Sequence, residues 1–171
     1  MTALNRDLTI LRLRAADVAL YRAIRLEGLE KEAEAFGSTF EHEADQPEAW
    51  FAERLEKRIV LGAFADGQLL GVAGFYPMDG PKDRHKGLLF GMYVRPAGRG
   101  RGVGAALTQA ILDRAAGQVE QVQVSVVAAN APARRLYERL GFVEWGVERQ
   151  ALKHRGVYSD EVRMVKFLSA E

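Results

Sequence analysis

The chain has 171 residues, no cysteine, and 24 basic against 23 acidic residues. That length suits one well-buried domain over 1–171, and no linker-like stretch divides it. The missing cysteine excludes disulfides, thiolate metal sites and a cysteine nucleophile, while the balanced charge gives no reason to expect nucleic acid or an anionic membrane as partner. The N-terminus has no basic-then-apolar signal pattern and no run approaches the roughly 20 apolar residues of a membrane span, so a soluble cytoplasmic protein is expected.

Leu8 to Leu13 alternates around Ile10 and reads as a first strand. Asp17 is placed to cap a helix with Val18, Leu20, Tyr21, Ile24 and Leu29 as its apolar positions. Phe36 to Phe40 breaks that helix, and Asp45 and Pro47 start another with Trp50, Phe51 and Leu55 on one face. Ile59–Phe64 and Gln68–Tyr76, joined by Asp66-Gly67, read as a hairpin because a turn dipeptide links two apolar runs. Pro77 to Lys86 is a polar loop, and Leu88 to Val94 is the next strand. Val103, Ala106, Leu107, Ala110 and Ile111 then fall at helical spacing, which predicts a helix packed on a sheet and ended by Gly117. Val122, Val124 and Val126 alternate with Gln121, Gln123 and Ser125, the pattern of a half-buried strand, completing a βαβ crossover. Asn130 caps a further helix that Gly141 ends, and Phe142–Val147 and Val157–Leu168 read as the last strands.

The turn Arg99-Gly100-Arg101-Gly102-Val103-Gly104 lies between a strand and a helix start. Successive backbone N–H groups in a glycine-rich turn that opens a helix form a site for phosphate or pyrophosphate, and glycine lets the backbone come close. The bland alternative is a tight connection with solvated arginines, which leaves two arginines and three glycines in six residues unexplained. No Gly-Lys-Ser/Thr follows, so the turn is not a P-loop. Gly100, Gly102 and Ala105 also permit a Gly-x-Gly-x-x-Ala dinucleotide reading. Against that reading, the turn lies past mid-chain after a hairpin, and no acidic residue stands clearly at the end of the next strand to hold a ribose.

About 25 residues on stands Asn130-Ala131-Pro132-Ala133-Arg134-Arg135-Leu136-Tyr137-Glu138-Arg139-Leu140-Gly141-Phe142. Together the two segments resemble the GNAT superfamily of acyl-CoA-dependent N-acetyltransferases. Arg99, Gly102 and Gly104 match its Arg/Gln-x-x-Gly-x-Gly/Ala signature, and Asn130, Ala133, Tyr137, Gly141 and Phe142 match its Asn-x-x-Ala-x-x-x-Tyr-x-x-x-Gly-Phe signature. The resemblance is sharpest over residues 88–145. It implies an α/β mixed sheet in the order β-α-α-β-β-β-α-β-α-β-β, splayed at its centre, with acetyl-CoA as acyl donor.

By that resemblance, backbone amides from Arg99, Gly100, Arg101, Gly102, Val103 and Gly104 hold the pyrophosphate. The backbone of Met92, Tyr93 and Val94 pairs with the pantetheine arm in the gap of the splay, and Asn130 and Ala133 meet the arm. An N–H near Met92 would stabilise the tetrahedral oxyanion. Gly91 is compatible with a bulge there.

Tyr137 is the catalytic candidate. Ala133, Leu136, Tyr137 and Leu140 share one helix face, so helix geometry by itself favours a core tyrosine; the family match gives it the role of general acid. Asn130 and Tyr137 lie seven residues apart, about 10 Å along a helix on the same side. A phenol of pKa about 10 can protonate a leaving thiolate of pKa about 8.5, slightly uphill in water, so position must contribute.

The base is open. Leu88 to Val94 carries no acidic residue, a departure from the pattern of many relatives, which leaves Glu27, Glu30, Glu41, Glu43, His85 and His154, or a water relay. The runs Phe36–Glu43 and Arg155–Glu161 are candidates to line the acceptor site. His42, His85 and His154 show no metal-ligand spacing, so no metal is expected. Trp50 and Trp145 read as core or interface aromatics.

The reading is an acetyltransferase in which a small-molecule amine or protein amino group attacks the thioester directly. A homodimer is a further expectation. The alternative is a non-catalytic acyl-CoA-binding sensor or scaffold, for which the missing base speaks and against which Tyr137 speaks.

Overall fold

The computed structural model describes residues 7–168. The first strand is β1 (Thr9–Leu13), followed by helices α1 (Val18–Lys31), α2 (Phe40–Ala44) and α3 (Glu48–Lys57). Then come β2 (Ile59–Ala65), β3 (Gln68–Pro77), β4 (Lys86–Val94), α4 (Val103–Ala115), β5 (Gln121–Val127), α5 (Ala131–Arg139), β6 (Val143–His154) and β7 (Val157–Phe167). The expected mixed sheet is present, with seven strands in the order β1-β2-β3-β4-β5-β7-β6. All neighbours are antiparallel except β4 and β5, the pair joined through α4.

Two details go beyond the sequence reading. Asp17 stands at the N-cap of α1 as expected, but its side chain makes no capping bond there; its carboxylate accepts the Arg14 N–H at 2.8 Å and closes a 3-10 turn over Ala15–Asp17. The α1–α3 connection also holds the short helix α2, which Thr39 caps by accepting the His42 N–H at 3.2 Å. A threonine oxygen thus satisfies an orphan donor of the first turn.

The two faces of the sheet carry separate cores. On one, Val103, Leu107 and Ile111 of α4 and Tyr137 of α5 pack on Leu61, Ala63, Phe75, Val122 and Val124. Burying side chains of this size contributes about 1.5–3 kcal/mol each relative to exposure. On the other face, Tyr21 and Ile24 of α1 and Phe51 and Leu55 of α3 pack on Leu13, Val60, Val72 and Tyr93. Alternation along β2, β3 and β4 sends successive side chains to opposite cores. The hairpin turn is Asp66-Gly67, with φ of 51° and 74°, the double left-handed geometry of a type I′ turn.

Candidate active site

The site begins where the sheet opens. β4 and β5 pair at Lys86↔Gln121, Gly87↔Val122 and Leu88↔Gln123, and their pairing stops there. The cause lies on the other edge of β4. Val72 opposes Tyr93 and Gly74 opposes Phe90, so Gly91 and Met92 together face the single residue Ala73. This is a β-bulge, and Gly91 takes φ +64°, a conformation glycine adopts without a Cβ penalty. The bulge turns β4 away from β5, which stays paired to β7 from Gln121 to Val127. Beyond Leu88, the β4 backbone therefore has no strand partner on its β5 side among the described residues and offers donors and acceptors to whatever enters.

At the end of β4 the chain passes through a 3-10 turn over Pro96–Gly98 into the glycine turn. Gly100 and Gly102 have φ of +72° and +74°. Gly102 is the N-cap of α4 and no side chain caps it. The amides of Gly102, Val103, Gly104 and Ala105 consequently have no partner within the helix and sit at its positive end. The arrangement fits a pyrophosphate: the space where a Cβ on Gly100 would lie is open to 4 Å. Gly104 lets α5 approach, since a Cβ there would lie 3.1 Å from Leu136. Arg99 is held at the rim, donating to Glu32 at 2.5 Å and to the Val94 carbonyl at 3.3 Å.

Bulge, turn and α5 enclose a cleft of about 1100 Å³. Of the residues expected to bind the donor, Met92, Tyr93, Val94, Arg99, Gly100, Gly102, Val103, Gly104, Asn130 and Ala133 line it; Arg101 and Tyr137, the latter expected there as well as in catalysis, do not. Asn130 caps α5 by accepting the Ala133 N–H at 3.2 Å. The Tyr93 side chain is turned the other way, packed beneath α1 where a Cβ on Gly28 would fall 2.9 Å from its ring. Its phenol is pushed up by burial and by the Glu27 carboxylate.

Tyr137 faces a second cavity of about 540 Å³ that adjoins the first through Met92, Asn130 and Ala133. It is 3% exposed, its ring edge-on to Phe142 at 5.4 Å. Its hydroxyl has no hydrogen-bond partner among the described residues, and burial pushes the phenol well above its ordinary range. Gly141, at φ +91°, ends α5, and Lys166 donates to the Leu140 carbonyl at 2.7 Å, fixing the C-terminal end behind Tyr137.

The outer wall of this second cavity joins α1, α2 and α3 to the sheet. Arg25 donates to both oxygens of Glu43, at 2.9 and 2.7 Å, and Arg54 lies 3.7 Å from the same carboxylate. Glu43 is 1% exposed; burial opposes its charge, but the hydrogen bonds and charges of Arg25 and Arg54 outweigh that and hold its carboxyl below the usual range. Glu43 is thus a structural anion and a poor base.

The other candidate bases are dispersed. Glu27 is paired with Arg95 at 2.9 Å, and neither it nor His85 lines either cavity. Glu41 and His154 line a separate hollow between the α1–α2 connection and the β6–β7 hairpin, which Glu30 borders together with the first cleft. The structure instead brings His42 and Glu161 to the second cavity. Arg58, Tyr76, Phe90 and Arg163, which the sequence did not single out, also line it. They converge from the α3–β2 junction, β3, β4 and β7, so no local spacing could have announced them.

Residues 25–142 match the family described as Acetyltransferase (GNAT) family. An L-methionine sulfoximine/L-methionine sulfone acetyltransferase of Pseudomonas aeruginosa is 34% identical over 99 residues, 56% of this chain and 57% of that protein's length. The chain thus spans little more than half of that curated relative. A ribosomal-protein-alanine N-acetyltransferase of Brucella melitensis superposes with a TM-score of 0.78 at 26% identity, covering 94% of this chain and 99% of that one. A Salmonella typhimurium chain solved with its cofactor acetyl-CoA has a TM-score of 0.80 at 24% identity, covering 96% of both chains. At that identity the last likeness speaks for the fold.

Proposed function

The chain belongs to the GNAT family of acetyltransferases, and from that premise we propose that it transfers the acetyl group of acetyl-CoA to a primary amine by direct attack on the thioester. The observation that carries the reading is the opening of β4 from β5 beyond Leu88, ending at an uncapped helix N-terminus. The unpaired β4 edge suits an extended amide-bearing arm, and the turn amides suit its pyrophosphate.

In this reading the Met92 region of the bulge donates an N–H to the carbonyl oxygen as negative charge develops there. The amine nitrogen bonds to the acetyl carbon as the carbon–sulfur bond breaks. Tyr137 gives its phenolic proton to the departing sulfur, and the attacking nitrogen releases one to water, from which the phenolate is reprotonated. Burial raises the phenol and so holds its proton more tightly, while desolvation of the departing thiolate raises its own basicity in the same direction, so the two effects oppose each other. The acceptor enters by the second cavity, and either a small-molecule amine or a protein amino group satisfies the chemistry.

The proposal includes a cytoplasmic setting and a homodimer. For the latter, Val143, Trp145 and Val147 alternate along the edge strand β6 and are each more than half exposed, the apolar face an edge strand covers by self-association. An exclusively monomeric mass by light scattering removes that part.

The test is amine-dependent release of free thiol from acetyl-CoA, with N-acetylated product identified by mass spectrometry. Tight acetyl-CoA binding without release on any amine panel favours the sensor reading.

A further inference from the structure

We propose that the acceptor is an amine that also carries a carboxylate, and that Arg58 receives that carboxylate. The inference rests on the acetyltransferase reading and names the acceptor class for the same site.

Four arginines line the second cavity, Arg25, Arg54, Arg58 and Arg163. Three are engaged by the protein itself. Arg25 and Arg54 share Glu43, and Arg54 also donates to the Tyr21 hydroxyl at 3.2 Å. Arg163 donates to Ser125 and Glu148 and lies 3.7 Å from Glu161. Arg58 differs: its backbone N–H donates to the Arg54 carbonyl at 3.0 Å, but among the described residues no carboxylate, carbonyl or hydroxyl takes a hydrogen bond from its guanidinium, which meets only aromatic rings. Its guanidinium carbon lies 4.3 Å from the ring centre of Tyr76 and 5.1 Å from that of Phe90.

A guanidinium laid over aromatic rings is attracted through its face, which leaves its in-plane N–H edge to an acceptor. The seat is built rather than incidental. Phe90 lies directly on the β3 backbone, where a Cβ on Gly74 would fall 2.2 Å from its ring. Tyr76 stands beside it at 5.6 Å and 60°. Arg58 itself is half-buried, so its charge is partly desolvated and without a counter-ion of its own.

A planar, delocalised anion is the partner this fork matches, because a carboxylate takes two parallel N–H bonds from it. A cavity of about 540 Å³ shared with Tyr137 leaves room for a small amine bound at one end through its carboxylate. Arg58 is thus a positioning and specificity residue, assigned no part in the proton transfers.

Two readouts test this on full-length protein, with common amino acids and their primary carboxamides as matched probes. In turnover, the wild type should prefer the acids, and Arg58→Ala should raise their KM about tenfold or more with kcat largely kept, since a hydrogen-bonded charge pair is lost. The amides should be little affected, and Arg58→Lys should restore part of the preference by keeping charge without the fork. In saturation-transfer NMR with CoA present, the acids should contact the wild type and lose that contact in Arg58→Ala, independently of any turnover.

Equal use of acids and amides by the wild type, or equal losses for both in Arg58→Ala, overturns the assignment to Arg58. Acid binding that Arg58→Ala abolishes, with no thiol release on any amine, upholds Arg58 and overturns the transferase reading instead. Arg58→Met, which keeps the stem over the rings, separates a packing loss from a charge loss.

Discussion

Leu88 and Gln123 are the last matched pair of β4 and β5; three residues further along β4, Gly91 stands at φ +64° and the strands have parted. The opening depends on a backbone conformation that residues with a Cβ adopt at a cost of about 1–2 kcal/mol. A Cβ at Gly91 meets only the Arg25 Nη1 atom, at an ordinary 3.5 Å, so the cost is in the backbone and not in a clash. Gly91→Ala is expected to lower Tm by several degrees and to reduce turnover beyond what the stability loss accounts for. Unchanged Tm and turnover, by thermal melt and thiol release, would remove the bulge from the account.

Gly100 and Gly117 make a matched pair for the anion site. Both have positive φ, +72° and +80°, and both face open space for 4 Å. Alanine at either strains the backbone alike, by roughly 1 kcal/mol, but only Gly100 lines the cleft. Gly100→Ala should weaken CoA binding about tenfold, since a shifted turn misaims its amides, whereas Gly117→Ala should leave binding unchanged. Equal CoA affinities in calorimetry would relocate the phosphate site.

Tyr137→Phe is expected to lower kcat about 100-fold or more, the scale of general acid catalysis, with the Kd for acetyl-CoA nearly unchanged. Because burial raises the phenol, the proton it gives is present at all moderate pH. The rate should therefore rise with pH as the amine loses its proton and show no falling limb due to Tyr137 below about pH 10. A descending limb near neutrality that vanishes in the phenylalanine variant would contradict the assignment.

Glu43 ties α2 to α1 and α3 through Arg25 and Arg54. Removing one member of a buried pair strands the other, so Glu43→Ala should cost about 3–5 kcal/mol in a denaturant titration. Its carboxyl is held below the usual range. The unfolded chain then takes up the proton first as pH falls, so this stabilisation is complete above the ordinary carboxylate value of about 4.3. It fades as pH drops from there through the lower folded value. A wild type and Glu43→Ala pair that converge in stability at neutral rather than acid pH would refute this.

Much of this was legible because it is written locally. The type I′ hairpin shows in Asp66-Gly67, the α4 face in the spacing of Val103, Leu107 and Ile111, and the α5 boundaries in Asn130 and Gly141. The anion turn is readable for the same reason, being six consecutive residues. Asp17 is at the α1 N-cap as its place before an apolar run suggests, but its carboxylate goes back to the Arg14 N–H, since an acidic residue there serves equally to close a 3-10 turn. The second cavity was not legible: Arg58 reaches Tyr76 and Phe90 from separate parts of the chain, and Glu43 meets Arg25 only through the fold of the α1–α2 connection. Pairing of that kind depends on register and packing, which spacing along the chain does not encode.

Isothermal titration of the purified protein with acetyl-CoA, set against CoA, NAD and NADP, is the decisive measurement. Saturable binding of acetyl-CoA and CoA at one site per chain, weakened by Gly100→Ala, with no binding of either dinucleotide, is the expected result. Binding of NAD or NADP with none of acetyl-CoA would contradict it and return Gly100, Gly102 and Ala105 to the dinucleotide reading.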